Sequence, residues 1–315
     1  MGLKSCATQD QHNRSEGPTR KISAWNFLLN VTLEMQSKMK YVSLLMSLLS
    51  LLVKSGCFED SKWNGLRVRY CTHPEKAFFH QPRLVVEAKE QGFKPVRGLQ
   101  CNASVHYRGI AYAKDGDRSL TLLYDIHGFI GGIQAGIPIN EAEATLYPSQ
   151  SLRPPFVLDD QHYIITMYFT NPDEICKKGR KASDFEQHGT GENLWLQTGQ
   201  YPHTVAYLPR QERNIAAPWV QGKCYPKMGT HYWYNISTDM SCENFYPVFL
   251  MYNNDEMTGF GWSFVTANLT SANYEHPDRA VFPLFFHEVP ECLTRETKFS
   301  AMHVYLTNNP YAHTC

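Results

Sequence analysis

One order of landmarks occurs twice along this 315-residue chain. Cys101 is followed by His106-Tyr107, by LLYD at 122–125, by Gly-Phe at 128–129 and by YFTNP leading to Cys176. Beyond residue 220 the order returns: Cys224, His231-Tyr232, LMYN at 250–253, Gly-Phe at 259–260, and YLTNNP before Cys315. The offset between matching landmarks grows from 123 at the first cysteine to 139 at the last, as small loop insertions would make it. This reads as a tandem duplication, and it requires a fold that the chain builds twice.

The runs between the landmarks show what each unit is made of. RLVVEA, SLTLLYDI, HYIITMYFT, YPVFLMYN, FGWSFVTANL and SAMHVYLT are short, aromatic and β-branched, and Gly, Pro, Asn and Asp separate them. That is the signature of strands and turns. LLYDIHGF and LMYNNDEMTGF read as hairpins, because an apolar strand ends in Asp or Asn before a polar turn. Residues 139–146 and 182–188 have room for a helical turn or two, without a sustained 3.6-residue apolar face. The expected class is mainly β, with two tandem related antiparallel units, sandwich-like or barrel-like, held by disulfides.

Compartment follows from the N-terminal segment and the cysteines. Lys38 and Lys40 precede the uncharged run YVSLLMSLLSLLV, which ends at Lys54 with small residues at Val53 and Ser55. Thirteen residues at about 1.5 Å each reach only about 20 Å as a helix, short of the ~30 Å hydrocarbon core, so a secretory signal is expected and stable membrane insertion is not. The expected organisation is an upstream extension of unknown role over 1–38 and a signal over 39–55. An N-terminal segment over 56–97, β unit 1 over 98–176, a linking segment with possible strands over 177–220 and β unit 2 over 221–315 follow. Eight of the nine cysteines follow the signal, an even number that suits four bridges in an oxidising compartment. A cysteine before the first strand and one past the Asn-Pro exit would tie the ends of each unit, which predicts Cys101–Cys176 and Cys224–Cys315. Cys242–Cys292 and Cys57–Cys71 then remain. Sequons at Asn102, Asn235 and Asn268 suit a secreted glycoprotein.

Charge narrows the partners. Whole-chain totals of 30 basic and 30 acidic residues become 23 and 27 after residues 1–55 are set aside, without a Lys/Arg block suited to nucleic acid. The basic run KKGRK at 177–181 reads as a solvated loop rather than a processing site.

Chemistry-bearing patterns are sparse. His106 and His231 hold matching places in the landmark order and could share a metal, with His127, His276 or His303 as further ligands. Neither H-x-H, H-E-x-x-H nor C-x-x-C occurs after the signal, so structural histidines are the simpler expectation. No G-x-S-x-G elbow is present, and GFIGGIQAG at 128–136 lacks the Lys-Ser/Thr of a phosphate loop. It reads as a strand that another backbone approaches closely. KDGDRS at 114–119 could offer Asp115 and Asp117 to calcium, though an acidic turn explains it as well. Tyr232, Trp233 and Tyr234 stand together beside the Asn235 sequon and form the candidate binding face, since such rings suit sugars or protein partners.

The expected function is therefore that of a secreted glycosylated binding or interaction protein, built from a duplicated β module, with an extracellular protein or carbohydrate as ligand and no cofactor. The alternative is a secreted copper- or zinc-dependent enzyme using His106 and His231. A membrane-active protein, inserting a hairpin around FGWSFVTANL, is a third reading.

Overall fold

The computed structural model describes Lys40 and residues 62–142, 154–266, 269–295 and 299–315. The upstream extension, the signal apart from Lys40, Cys57 and Asn268 lie outside the described residues. The strands are β1 (Arg67–Val68), β2 (Phe79–His80), β3 (Phe93–Pro95), β4 (Ile110–Lys114), β5 (Asp117–Tyr124), β6 (Ile130–Pro138), β7 (Val157–Asp159) and β8 (His162–Tyr168). They continue as β9 (Leu194–Gln197), β10 (Val205–Leu208), β11 (Trp219–Tyr225), β12 (Gly229–Tyr234), β13 (Val248–Asn253), β14 (Glu256–Phe264) and β15 (Ser300–Tyr305). Helices are short, as the missing apolar face implied; Ala182–His188 has seven residues and Ile139–Ala142 four.

Two antiparallel sheets result, and their strand orders correspond position by position. One runs β3-β4-β5-β6-β8-β9-β10, with β7 beside β8; the other runs β11-β12-β13-β14-β15-β1-β2. The first sheet uses one continuous stretch of chain, whereas the second adds two strands from the N-terminal side. The segment 177–220 supplies β9 and β10 to the first sheet, and the segment 56–97 supplies β1 and β2 to the second.

Alternation along the strands explains how the sheets stack. Val248, Leu250 and Tyr252 of β13, Phe260 and Trp262 of β14, and Met302 and Val304 of β15 enter one core with Leu120, Leu122, Tyr124, Ile133 and Met167 of the first sheet. Their neighbours Phe249, Met251, Ala301 and Tyr305 face outward into a second cluster, and Ala111, Leu123, Ile164 and Tyr168 form a third outside the first sheet. A strand buried on both faces needs apolar residues at consecutive positions, which is why YPVFLMYN is apolar without a break. Phe260–Phe264 of the stretch considered for insertion is thus part of a central, buried strand.

Corresponding positions also make corresponding contacts. Tyr112 and Tyr124 meet edge-on at 5.6 Å between ring centroids, and Tyr232 and Tyr252 at 5.5 Å. Tyr124 Oη donates to the Pro82 carbonyl at 2.8 Å, and Tyr252 Oη to that of Pro209 at 2.5 Å. Both sheets carry a register shift at the second tyrosine, between Leu123 and Tyr124 and between Met251 and Tyr252. Gly132 faces Tyr168 as Gly259 faces Tyr305, so Gly132, not Gly128, is the counterpart of Gly259. A Cβ at Gly132 would stand 2.7 Å from the Met167 oxygen, and one at Gly259 2.4 Å from that of Val304. The expected close approach of another backbone in GFIGGIQAG is therefore present. Gly132→Ala and Gly259→Ala are each expected to cost about 1–3 kcal/mol of stability through overpacking, measured by urea unfolding; an unchanged midpoint would contradict this.

Three bridges close on the pairs expected: Cys101–Cys176, Cys224–Cys315 and Cys242–Cys292, spanning 75, 91 and 50 residues. Loops of that length correspond to about 4 kcal/mol each in the chain-entropy picture. Cys71 takes part in none of the three, and its expected partner Cys57 lies outside the described residues. The KKGRK run is not wholly a solvated loop. Arg180 is buried, donating to the carbonyls of Gly189 at 2.8 Å and Thr190 at 3.1 Å, while its backbone N–H donates to Asp125 at 2.6 Å. Among the described residues no helix is long and apolar enough to cross a membrane.

Candidate functional site

The outer face of the second sheet does not close as tightly as the inner one. Strands β12, β13 and β15 present His231, Trp233, Phe249, Ala301 and His303 there, and the 3-10 segment Arg279–Leu284 with Phe285, Phe286 and Phe299 lies over them. A cavity of about 300 Å³ remains between floor and roof. Its rings pack on one another: Trp233 stacks on Phe286 at 4.3 Å, Phe249 meets His303 at 4.9 Å, and Phe285 meets His231 at 5.0 Å.

Local sequence explains how the roof is held. Asp278 caps the 3-10 segment by accepting from Ala280 N at 2.8 Å. Opposite, β11 has a register shift between Gln221 and Cys224, and the Lys223 N–H released there donates to the Phe285 carbonyl at 2.8 Å. Gly222 permits that approach, since a Cβ would stand 2.4 Å from the same carbonyl. The Cys242–Cys292 bridge ties the far end of the excursion to the residues following β12.

Three polar features stand in this apolar wall. Glu275 Oε2 accepts from His303 Nδ1 at 2.8 Å, and its other oxygen accepts from Tyr70 N at 2.7 Å. The Glu275 backbone is pinned by two hydrogen bonds to Ala301 of β15, so the carboxylate and imidazole are positioned by the sheet itself. His231 is buried, and its Nδ1 lies 3.2 Å from the Gly229 carbonyl. A carbonyl can only accept, so Nδ1 is the donor in that contact. Nε2 has no hydrogen bond of ordinary geometry, and the Lys223 backbone, like that of Gly229, favours the protonated ring. Burial, then the nearby His303, lowers the His231 pKa to about 3, so the ring is neutral at ordinary pH. Burial, then the Tyr225 hydroxyl, raises the Tyr70 pKa well above its usual value.

The structure separates the two histidines that the landmark order paired. His231 faces Met251 and Tyr232 faces Leu250, whereas Leu123 and Leu122 face Ala111 and Tyr112. The counterpart of His231 is therefore Ala111. His106 stands before β4, with its Nδ1 3.4 Å from the Gln200 carbonyl, and Tyr107 beside it packs outside the first sheet. His106 thus stands beside the first sheet and His231 lies within the second. His127 is held in its turn by the Arg180 carbonyl at 2.8 Å. His276 and His303 do join His231 around the cavity, but His276 turns to Ser300 Oγ at 3.2 Å and His303 to Glu275. Among the described residues no three His, Cys, Asp or Glu side chains are grouped to hold a metal. Ser300 is fully buried in β15, so its contact with His276 does not present a nucleophile.

Tyr232, Trp233 and Tyr234 form no common face. Tyr232 enters the core between the sheets, with its hydroxyl on Glu212 at 3.0 Å; burial, then that carboxylate, raises its pKa to about 12. Trp233 points the other way, into the cavity, while Tyr234 packs on Tyr246 at 4.4 Å. Asp115 sits at positive φ in the β4–β5 turn, and Asp117 accepts from Ser271 Oγ at 2.6 Å and Ser119 N at 2.9 Å, which are structural uses. Asn102 and Asn235 are exposed. Sequence reasoning missed Tyr70, Glu275 and the roof residues Phe285 and Phe286. The signal available for the roof was the aromatic run VFPLFF at 281–286, which has neither strand alternation nor a helical face. No family model, curated protein or solved structure matches this chain.

Proposed function

We propose that this is an extracellular binding protein built from a duplicated β module, and that its ligand is a small, largely apolar molecule held in the cavity outside the second sheet. The observation that carries this reading is the cavity itself: about 300 Å³, lined chiefly by aromatic side chains, with Glu275, His303 and His231 converging on it. A concave apolar site with a few placed polar groups is the usual form of a small-molecule pocket. A protein or carbohydrate surface at Tyr232–Tyr234 is less well supported, because burial closes it. Three disulfides, the apolar run at 41–53 and the exposed sequons at Asn102 and Asn235 favour an oxidising compartment and glycosylation. Duplication is favoured by the shared strand order and the repeated Tyr-Tyr-Pro contacts. Calorimetric titration with 2-naphthol tests the site. Wild-type protein is expected to bind one equivalent, and Ala301→Phe, which fills the cavity from its floor, to bind at least about tenfold more weakly. No binding by wild type, or equal binding by the variant, would overturn the reading.

A further inference from the structure

We infer that His303 is the polar anchor of the cavity, its Nε2 accepting a hydrogen from a hydroxyl or N–H group of the ligand. This rests on the cavity being the binding site. His303 reaches the cavity from β15, and its Nδ1 donates to Glu275 Oε2 at 2.8 Å. The other Glu275 oxygen accepts from the backbone N–H groups of Tyr70 at 2.7 Å and His303 at 3.3 Å, so the carboxylate is fixed and fixes the ring. With the proton on Nδ1, the lone pair of the neutral ring is on Nε2, at the side away from the carboxylate. Nε2 makes no hydrogen bond among the described residues, and unlike the enclosed Nε2 of His231 it keeps accessible surface. The His303 and Glu275 side chains are 9% and 11% exposed, and both line the cavity. An acceptor held in place by a second hydrogen bond, in a wall otherwise made of rings such as Phe249 and Phe285, is the kind of group that orients a ligand in an apolar pocket.

The other polar groups of the wall are engaged, and charge and size narrow the class further. His276 Nδ1 lies on Ser300 Oγ at 3.2 Å, and the Tyr70 hydroxyl is hydrogen-bonded with that of Tyr225. Arg69 also lines the cavity, but its Nη1 donates to the Ala272 carbonyl at 2.5 Å and its Nε is enclosed. A carboxylate has no hydrogen to give Nε2, and Glu275 in the same wall repels it. An apolar cavity of about 150 Å³ holds benzene, so about 300 Å³ suits a two-ring body. The class is a neutral bicyclic arene with one hydrogen-bond donor, of the naphthol or indole type.

Four probes separate this inference from the cavity reading beneath it: 2-naphthol, naphthalene, 2-methoxynaphthalene and 2-naphthoate. They are titrated at about pH 8, above the ordinary imidazole range, against wild-type protein and His303→Phe. Wild type is expected to bind 2-naphthol about tenfold more tightly than naphthalene or the methyl ether. It should bind 2-naphthoate more weakly than 2-naphthol, and His303→Phe should lose the preference while still binding naphthalene. Ring ¹⁵N spectra of wild type give a second readout that needs no variant. Nε2 of His303 should resonate as an unprotonated nitrogen and shift on adding 2-naphthol by more than on adding naphthalene. If all four probes bind alike, if the carboxylate binds best, if His303→Phe keeps the preference, or if the Nε2 signal ignores 2-naphthol, the anchor inference fails and the cavity stands. If none binds, the cavity reading itself fails.

Discussion

Asp159→Ala is expected to lower the unfolding free energy by about 3–5 kcal/mol, because it strands a buried guanidinium. Asp159 lies in β7 at 1% exposure and accepts from Arg118 Nη2 at 2.6 Å, Arg97 Nη2 at 3.1 Å and Ser104 Oγ at 3.4 Å. Arg118 in β5 is 8% exposed, and its Nε has no partner, so water cannot replace the lost carboxylate without opening the sheet. Arg97 is more exposed and should contribute less, since a solvated guanidinium keeps its hydration. Replacing the inner pair together, Asp159→Leu with Arg118→Met, should recover most of the loss, because the penalty arises from the unpaired charge. Urea unfolding of the single and double variants checks both statements. A single-variant loss below about 1 kcal/mol would show that the pair does not hold β7 to the first sheet.

Acid should destabilise the protein through His231. Its folded-state pKa, about 3, lies below the ordinary 6.5, so between those values the unfolded chain binds a proton that the folded chain excludes. The stabilisation is complete above pH 6.5 and is lost as pH falls toward 3. The slope from this group is about 1.4 kcal/mol per pH unit, and the whole window amounts to on the order of 5 kcal/mol. Carboxylates add their own acid dependence, so the informative quantity is the difference between wild type and His231→Phe. The variant's stability should fall less steeply from pH 6.5 downward, and the two profiles should run parallel above it. Parallel profiles throughout would mean that His231 is protonated or solvated in the folded protein.

Much of the architecture could be read from residue types, and the reason is local. Strand runs and Asn-Pro exits are short-range signals. Cys101, Cys176, Cys224 and Cys315 could be paired because they bracket such runs at matching places. The comparison failed where it relied on a dipeptide. His106-Tyr107 and His231-Tyr232 look alike, but backbone pairing to β5 and β13 sets the correspondence, and it matches His231 with Ala111. The same limit hid the match between the two flanking segments: Pro82 and Pro209 receive similar tyrosine hydroxyls, yet each lies in a segment that seemed to lack a counterpart. Arg180 reads as part of a basic run because its acceptors at Gly189 and Thr190 become visible only once Ala182–His188 has folded back. The cavity was least legible, since its wall is assembled from Tyr70, His231, Glu275, Phe285 and His303, far apart along the chain. Alternation shows that β12, β13 and β15 each have an outward apolar face, but it does not show what covers that face.

The central claim, that the aromatic cavity outside the second sheet is where this protein binds its ligand, is tested most directly by ¹H–¹⁵N correlation spectra recorded during titration with 2-naphthol. The account predicts saturable shifts confined to the Trp233 indole, which donates to the Phe285 carbonyl at the roof, and to the amides of Tyr70, Phe249, Phe285 and His303. Shifts centred on the first sheet, or an unchanged spectrum at saturating probe, would contradict it.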